Sequence, residues 1–208
     1  MIVFVYNLNM FIFEKCKVPD CSEMQITGFE TCFNHISDKS DFNNSIFGLI
    51  NSGIKIVDLN ISGMIIENTV ITDKRFFSCN FSKTILKNVK FVNCYFRQCF
   101  FDYSAFSDCI VEGTNIKFTC FGGSTFNSCK FLTSDILHTN FTGIKSTDVL
   151  FSETDLYFSS FINSTMQDTV FDDCNLKKSS FYHTVRNNVN FRNSNPEEAF
   201  FDKWDRID

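Results

Sequence analysis

The sequence is poor in the residues that interrupt regular structure and in those that commonly carry catalysis. Its 208 residues include two prolines, eight glycines, three histidines and one tryptophan. No glycine-rich phosphate loop and no HExxH motif occurs, and the histidines have no fixed partner among the serines, cysteines or carboxylates. We therefore expect a protein that is not an enzyme and that uses no cofactor.

Long apolar runs are also missing. No run approaches the roughly 18 to 20 residues that cross a bilayer, so the sequence predicts no membrane-spanning helix and no membrane partner. Residues 1–13, MIVFVYNLNMFIF, lack the basic start and small-residue cleavage site of a signal peptide and are predicted to form a strand-like first segment. We expect a cytoplasmic protein, with leaderless secretion into a host as the alternative.

Phenylalanine is what the chain has in excess, with 28 residues in a sequence that is 44% hydrophobic and carries a net charge of -5. Between positions 76 and 191, a large apolar residue recurs at every fifth position: of 24 such positions, 22 are apolar and 15 are Phe. Two positions before each of these residues from Phe81 onward, that is from Cys79 to Val189, lies a small residue, which is Cys, Ser, Thr or Val except at Ile144. Neither the helical period of 3.6 nor the strand period of 2 gives this pattern. It indicates one structural unit repeated along the chain.

Several five-residue units match a known repeat. CNFSK (79–83), TNFTG (139–143), TDLYF (154–158) and CNLKK (174–178) resemble the units of the pentapeptide-repeat family. The resemblance implies an all-β fold, a right-handed quadrilateral (four-sided) parallel β-helix with one unit per side and the apolar and small residues inward. A turn every five residues leaves the backbone polar groups to pair with the coils above and below, at about 4.8 Å. Four units close a coil, so residues 20 apart stack.

This register divides the chain into three parts. Residues 56–195 are predicted to form the pentapeptide-repeat β-helix of about seven coils, a rod on the order of 35 Å long. Residues 1–55 are predicted to be an N-terminal capping segment and residues 196–208 a C-terminal capping helix, because an open solenoid exposes sheet edges and core. The position two before each large apolar residue is here called the small slot. The start is the least regular part, because the small slot there holds large residues, namely Leu59, Met64 and Lys74.

Both caps carry helix signals. In the first, the expected N-cap is Ser40 or Asp41, and the apolar residues at helical spacing are Phe42, Ile46, Leu49 and Ile50. In the second, Asn195 is the expected N-cap and Pro196 fits the first turn. The residues then expected against the last coil are Phe200, Phe201 and Trp204.

Stacking accounts for most of the ten cysteines. Six are predicted to fill the inward small slot as apolar fillers, namely Cys79, Cys94, Cys99, Cys109, Cys129 and Cys174. Cys79 then lies over Cys99, and Cys109 over Cys129, within the separation that permits a disulfide. Isolated thiols elsewhere in the same slot favour reduced pairs, as in a cytosolic protein.

Four further residues offer zinc ligands ahead of the repeats: Cys16, Cys21, Cys32 and His35. Their spacing matches no recognised zinc pattern. The sequence therefore predicts no metal site.

Two residues break the apolar register, Ser146 and Arg186. Near the first, Ile144 is large where the slot is normally small, so the two volumes are predicted to compensate each other. At the second, an inward, unpaired guanidinium costs several kcal/mol. We therefore predict that the chain bulges there and turns Val185 inward and Arg186 outward.

Charge is unevenly placed along the predicted rod. Residues 74–97 carry six basic residues and no acid, and residues 102–173 carry ten acids against three lysines. Stacking aligns one carboxylate column of Asp108, Asp148 and Asp168 and another of Asp135 and Asp155. Some members of the family that the chain resembles protect DNA gyrase by presenting an acidic, duplex-shaped rod, and their dimers join through a C-terminal helix. The alternative function is therefore a DNA mimic that binds gyrase or a related topoisomerase, with dimerisation through the C-terminal end. The basic residues of positions 74–97, here called the basic coil, argue against mimicry, because positive charge would be repelled where DNA phosphates should be imitated.

One side of the rod is predicted to be apolar on its outside. Its outward side chains include Phe118, Leu137, Tyr157 and Phe158, here called the aromatic wall, with Lys177 and Lys178 at its rim. Aromatic patches with charged rims are typical of protein interfaces, unless a terminal segment folds back and covers them. The predicted function is thus a non-enzymatic bacterial protein-binding scaffold that contacts no nucleic acid directly. The family that the chain resembles also occurs as the recognition part of secreted bacterial effectors. The scaffold is therefore also expected to fit such a recognition part.

Overall fold

The computed structural model describes residues 13–203. The predicted first strand, apart from Phe13, and Trp204 lie outside this range. Within it, no helix is long and apolar enough to cross a membrane.

Short strands dominate the described chain. One α-helix, α1 (Lys39–Asn51), precedes them, and 3₁₀ turns lie at Phe33–His35 and Pro196–Glu198. The strands are β1 (Lys55–Val57), β2 (Ile65–Thr72), β3 (Arg75–Phe77), β4 (Ile85–Val92), β5 (Tyr95–Arg97), β6 (Ala105–Ser107), β7 (Ile110–Glu112), β8 (Asn115–Lys117), β9 (Thr125–Asn127), β10 (Lys130–Leu132), β11 (Asp135–Leu137), β12 (Lys145–Ser152), β13 (Thr165–Asp172) and β14 (Val185–Asn187).

All of these strands pair in parallel with residues twenty positions away. β1, β3, β5, β8 and β11 form one side of the solenoid. The sheet β10-β7-β4-β6-β9-β12-β13-β14, with β2 on β4, covers two more sides, since β2, β4, β12 and β13 each run through a corner. Single parallel bridges from Asn60↔Asn80 to Ser180↔Phe200 complete the fourth side. The predicted fold class, an all-β four-sided parallel β-helix of about seven coils, is confirmed.

A left-handed backbone residue ends every unit. From Asp58 to Asn193, each fifth residue has a positive φ, with values such as 53° at Asp58 and 56° at Asn193. Glycine, Asn and Asp tolerate this conformation best, and other L-residues lose roughly 1–2 kcal/mol in it. This repeated turn directs each five-residue unit onto the next side.

The interior is a set of phenylalanine ladders. On one side, the rings of Phe81 and Phe101 stack with centroids 4.5 Å apart and 5° between planes, and the ladder continues to Phe201, whose ring lies 4.9 Å from that of Phe181. Such ring pairs contribute about 0.5–1.5 kcal/mol each beyond the burial of their area. Side chains in the ladders are almost fully buried, as at Phe141 and Phe161 (both 0% exposed).

The small slot does more than fill space. Ser104 Oγ donates a hydrogen bond to the Phe81 carbonyl (2.9 Å) and accepts one from the Thr84 N–H (3.2 Å), which ties two adjacent coils together. Thiols in the slot behave alike, for example Cys94 Sγ with the Ile71 carbonyl (3.3 Å). All six predicted slot cysteines are buried and free. Cys and Ser are thus interchangeable here because each is a small donor that satisfies a buried carbonyl.

The first cap is helical, but its start differs from the predicted one. α1 begins at Lys39, so neither Ser40 nor Asp41 is the N-cap; Asp38 Oδ1 accepts the hydrogen bond of the Ser40 N–H (3.0 Å). Its buried face comprises Phe42, Ile46 and Ile50, whereas Leu49 is 45% exposed.

At the other end, the described part of the predicted C-terminal capping helix is a single 3₁₀ turn, Pro196–Glu198. The turn occupies one side of a coil, after which Phe200 pairs with Ser180 and Phe201 stacks on Phe181. The solenoid therefore continues beyond residue 195, because Phe201 again falls twenty residues after an inward Phe.

The prediction for Arg186 is wrong. Arg186 stays in register beside Met166 in β14, and Val185 is 63% exposed rather than turned inward. The Arg186 guanidinium lies 4.7 Å from the centroid of the Phe201 ring. This cation–π contact with the part of the solenoid beyond residue 195 offsets part of the free energy lost on desolvating the guanidinium. The predicted bulge would have kept the guanidinium in water.

Ser146 points inward and is 3% exposed, and Ile144 is 1% exposed. Ser146 Oγ lies 2.9 Å from Thr169 Oγ1, within hydrogen-bond distance. The smaller side chain therefore sits next to a larger one and keeps a polar partner.

We expect Ser146→Phe to lower the free energy of unfolding by about 1–3 kcal/mol, because Ile144 leaves no room for a ring. Ser146→Ala is the matched control, since it removes only the hydroxyl and should cost about 1 kcal/mol. Chemical denaturation of both variants measures the difference. A Phe variant that melts above the wild-type protein would contradict compensation between the two volumes.

Candidate protein-binding surface

The aromatic wall lies on the side formed by β8 and β11 and the coils that follow them. In each unit of this side the large apolar residue points inward, as Ile116 and Leu156 do, and the next two residues point outward. Phe118 and Phe158 are 52% and 53% exposed, whereas Leu137 and Tyr157 are half-buried. The predicted members are thus brought together on one outer surface, and no segment among residues 13–203 covers its two phenylalanines.

His138 lies at the centre of the aromatic wall, although it was not among the predicted site residues. Its ring stacks on Phe118 with centroids 5.2 Å apart, and it lies 5.1 Å from the ring of Phe158 and 5.7 Å from that of Tyr157. The signal was available in the sequence, because positions 118, 138 and 158 are twenty apart. The structure adds that the three rings contact one another in a continuous column.

Cationic side chains border the aromatic wall. The Arg97 guanidinium lies 5.8 Å from the centroid of Phe118, and Lys178 Nζ lies 5.5 Å from that of Tyr157 and donates a hydrogen bond to its hydroxyl (3.1 Å). Lys177 instead pairs with Glu198 at 2.9 Å, and this hydrogen bond raises the pKa of the lysine. Of the two predicted rim lysines, Lys178 therefore contacts the wall directly.

The aromatic surface extends further than predicted. Toward the first coils of the same side, the rings of Phe77 and Tyr95 lie 5.4 Å apart, and the Arg75 guanidinium lies 5.8 Å and 5.3 Å from their respective centroids. Arg97 lies between this group and Phe118 along the side. Aromatic and cationic groups thus alternate along one face of the rod.

The backbone at the aromatic wall favours other residues. Phe118, His138 and Phe158 have φ values of 53°, 51° and 58°, so all three occupy the left-handed position that ends a unit. Phenylalanine in this conformation is an outlier, whereas histidine is among the residues that tolerate it. Strain of this kind often marks a functional position. These rings are therefore not explained by the needs of the fold.

The acidic column of Asp108, Asp148 and Asp168 is exposed and also occupies the left-handed position, with φ between 48° and 55°. Aspartate suits this conformation. Ser128 separates the first two aspartates and donates to Asp148 Oδ2 (2.9 Å), while Asn188 Nδ2 donates to Asp168 Oδ1 (2.6 Å). Backbone geometry and cross-coil hydrogen bonds thus account for much of this column.

Asp135 and Asp155 lie beside the aromatic wall within a polar ladder. Asn115 Nδ2 donates to Asp135 Oδ2 and Asn175 Nδ2 donates to Asp155 Oδ1, both at 2.9 Å. The Tyr157 N–H also donates to Asp155 Oδ1 (3.0 Å). These carboxylates connect adjacent coils and position a member of the aromatic wall.

Two lysines of the basic coil have acidic partners outside it. Lys83 pairs with Glu23 at 2.7 Å and Lys87 with Glu67 at 3.0 Å. Lys74 Nζ donates to the Gly53 carbonyl (2.8 Å). The N-terminal cap and the first coils therefore reduce the positive charge that the sequence alone indicates for this region.

The geometry defines a class of protein, a β-solenoid scaffold with its variable side chains on the outside. The family model for pentapeptide repeats matches residues 75–113 with eight copies. The chain therefore contains pentapeptide repeats, as its sequence predicts.

Several solved structures are similar to this chain. Full-length QnrB1, a plasmid-mediated fluoroquinolone resistance protein, is 17% identical over 72% of this chain and 94% of its own, with a TM-score of 0.44. HetL from the cyanobacterium Nostoc, a pentapeptide-repeat protein involved in heterocyst differentiation regulation, is 9% identical over 82% and 99%, with a TM-score of 0.27. Rfr23 from the cyanobacterium Cyanothece is 13% identical over 80% and 99%, with a TM-score of 0.21. No curated protein matches the sequence, and no function of this chain follows from these likenesses.

We expect Phe158→Asn to keep the free energy of unfolding within about 1 kcal/mol of wild type, because Asn tolerates the left-handed backbone. Phe158→Val removes the same ring but keeps a strained, β-branched residue there and should be less stable than the Asn variant by about 1 kcal/mol. Thermal and chemical denaturation compare the two. Equal stabilities would show that backbone strain at Phe158 is negligible.

Proposed function

We propose that this protein is a non-enzymatic scaffold whose β-helix binds a protein partner through the aromatic wall. The observation that carries the proposal is the exposed column of Phe118, His138 and Phe158 at left-handed positions. At the two phenylalanines the fold would be served better by Asn, Asp or Gly. Binding of a protein partner would explain aromatic rings at these positions, because aromatic residues are enriched among those that contribute most to binding energy.

Rigidity supports the proposal. The backbone beneath the wall is held by the parallel ladder, for example by the Ile136 N–H donating to the Asp155 carbonyl (2.7 Å). The rings of the column contact one another, and Lys178 donates a hydrogen bond to the hydroxyl of Tyr157 beside them. A surface that is already ordered loses little conformational entropy on binding, which favours affinity.

The charges around the wall indicate the chemistry of the partner. Arg97 and Lys178 favour an apolar or aromatic protrusion flanked by carboxylates. Asp135 and Asp155 border the same surface and repel phosphates, which disfavours a nucleic-acid ligand. The setting that we propose remains a bacterial protein, either cytoplasmic or the recognition part of a secreted effector.

The alternative is a DNA mimic that acts on gyrase or a related topoisomerase through Asp108, Asp148 and Asp168. The observation in its favour is the exposure of all three carboxylates along one column. Ser128 interrupts that column, and two of its carboxylates already accept hydrogen bonds from neighbouring coils. The aromatic wall is therefore the better-supported surface.

The test measures partner affinity for two sets of variants at two ionic strengths. A partner is first captured with the wild-type protein from bacterial and host lysates, and purified gyrase is included directly. Tyr157→Ala, Phe118→Asn and Phe158→Asn should each weaken binding by roughly 1–3 kcal/mol, the range of central aromatic anchors. Tyr103→Asn is the matched control, since Tyr103 is an aromatic residue at the same left-handed position, 73% exposed, on another side of the rod.

The acidic set, with Asp108, Asp148 and Asp168 changed to Asn, should leave affinity nearly unchanged. A DNA mimic requires the opposite, since its binding would fall with these carboxylates and with added salt. Loss of binding in the acidic set together with wild-type affinity in the aromatic set would overturn the proposal and favour the alternative.

A further inference from the structure

The N-terminal cap contains a cluster of side chains that the repeats and the aromatic wall do not use. Cys16, Cys21, Cys32 and His35 lie ahead of α1, and their sulphur and nitrogen atoms all lie within 4.8 Å of one another. Cys16 Sγ and Cys32 Sγ are 3.4 Å and 3.3 Å from His35 Nδ1, and Cys21 Sγ is 3.8 Å from Cys32 Sγ. Four soft or borderline ligands thus converge on one point.

These distances are close to the edges of a zinc tetrahedron. Zn–S bonds of about 2.3 Å and Zn–N bonds of about 2.0–2.1 Å place two sulphurs about 3.8 Å apart and a sulphur and a nitrogen about 3.5 Å apart. A disulfide instead needs an S–S distance of about 2.05 Å, so Cys21 and Cys32 are separated as ligands rather than as a bonded pair. A closed set of four protein ligands is characteristic of structural zinc.

Thiols of the cluster differ from those inside the repeats. Each inward slot thiol has a backbone carbonyl as its partner, as Cys174 has with Phe151 and Cys109 with Leu86. The Sγ atoms of Cys16, Cys21 and Cys32 instead lie within hydrogen-bond distance of one another or of His35 Nδ1. Their arrangement is therefore not explained as filling of a small slot.

Local backbone geometry presents the four ligands from three places in the cap, with Cys32 and His35 sharing one turn. Cys16 follows the antiparallel bridge between Lys15 and Met24, and the Cys21 N–H donates to the Val18 carbonyl (3.2 Å). Cys32 and His35 flank and end the 3₁₀ turn Phe33–His35. The spacing is C-x4-C-x10-C-x2-H, in which the first pair falls within the range common in zinc sites.

The N-terminal cap has little regular secondary structure to stabilise it without a metal ion. Apart from the 3₁₀ turn and one bridge, residues 13–38 have no regular secondary structure. They nevertheless cover the exposed edge of the first coil, where the Thr27 N–H donates to the Asn60 carbonyl (3.0 Å) and the Asn60 N–H donates to Thr27 Oγ1 (2.8 Å). A small irregular segment buries too little apolar surface to hold itself, and metals commonly stabilise such segments.

We propose that Cys16, Cys21, Cys32 and His35 bind one structural Zn²⁺ ion that holds the N-terminal cap against the first coil. Zinc replaces the thiol protons, so binding releases protons from the three cysteines and leaves His35 as a neutral ligand. The ion has no open coordination position for catalysis. This role is independent of partner binding at the aromatic wall.

The test measures metal content in the full-length protein purified under reducing conditions with zinc present. We expect one zinc per chain, and near-complete loss in Cys32→Ser and His35→Ala. His35→Cys preserves a four-ligand set and should retain zinc. Cys174→Ser, which alters a buried thiol inside the repeats, should also retain it.

Cobalt substitution of the wild-type protein provides a readout that does not depend on the folding of a variant. Co²⁺ bound by three thiolates and one imidazole gives tetrahedral d–d absorption and thiolate charge-transfer bands, which zinc then displaces. Chelation should lower the melting temperature of the wild-type protein but not that of a folded His35→Ala variant. Absence of stoichiometric zinc and of the tetrahedral cobalt spectrum, or undiminished zinc in both Cys32→Ser and His35→Ala, would overturn the proposal.

Discussion

The backbone hydrogen bond between residues about twenty positions apart is the constraint on which the rest of this structure depends. The Phe81 N–H donates to the Phe100 carbonyl (2.7 Å), and the Asn80 N–H donates to the Leu59 carbonyl (2.8 Å). Such bonds link every coil to the next only if each side has five residues. A single insertion would shift the following side chains in register and expose part of the core.

Within that ladder, the five positions of a unit meet different structural requirements. The inward pair, such as Ser104 and Phe106, satisfies buried carbonyls and fills the interior. The last residue of a unit takes the left-handed conformation. Only the outward side chains are largely free of these requirements, so a specific function of the rod is expected on its outside.

At the ends of some units, an aromatic residue occupies a position whose left-handed backbone favours Asn, Asp or Gly. Asp148 and Asn188 suit the left-handed backbone and also join cross-coil hydrogen bonds. Phe118 and Phe158 occupy equivalent positions with large, exposed rings. Their stacking through His138 recovers packing energy, but it does not remove the backbone cost.

The sequence by itself determined the period, the inward columns and the outward placement of Phe118, Leu137, Tyr157 and Phe158, because a fixed five-residue unit relates position directly to side. The fold class followed from the resemblance of these units to those of the pentapeptide-repeat family. Contacts between columns and between segments were decided only by the tertiary structure: the stacking of His138 between two phenylalanines, and Phe201 as the partner of Arg186. The convergence of Cys16, Cys21, Cys32 and His35 belongs to the same group. The cap has no repeating period, so its side-chain neighbours follow from how an irregular chain packs on the first coil rather than from spacing along it.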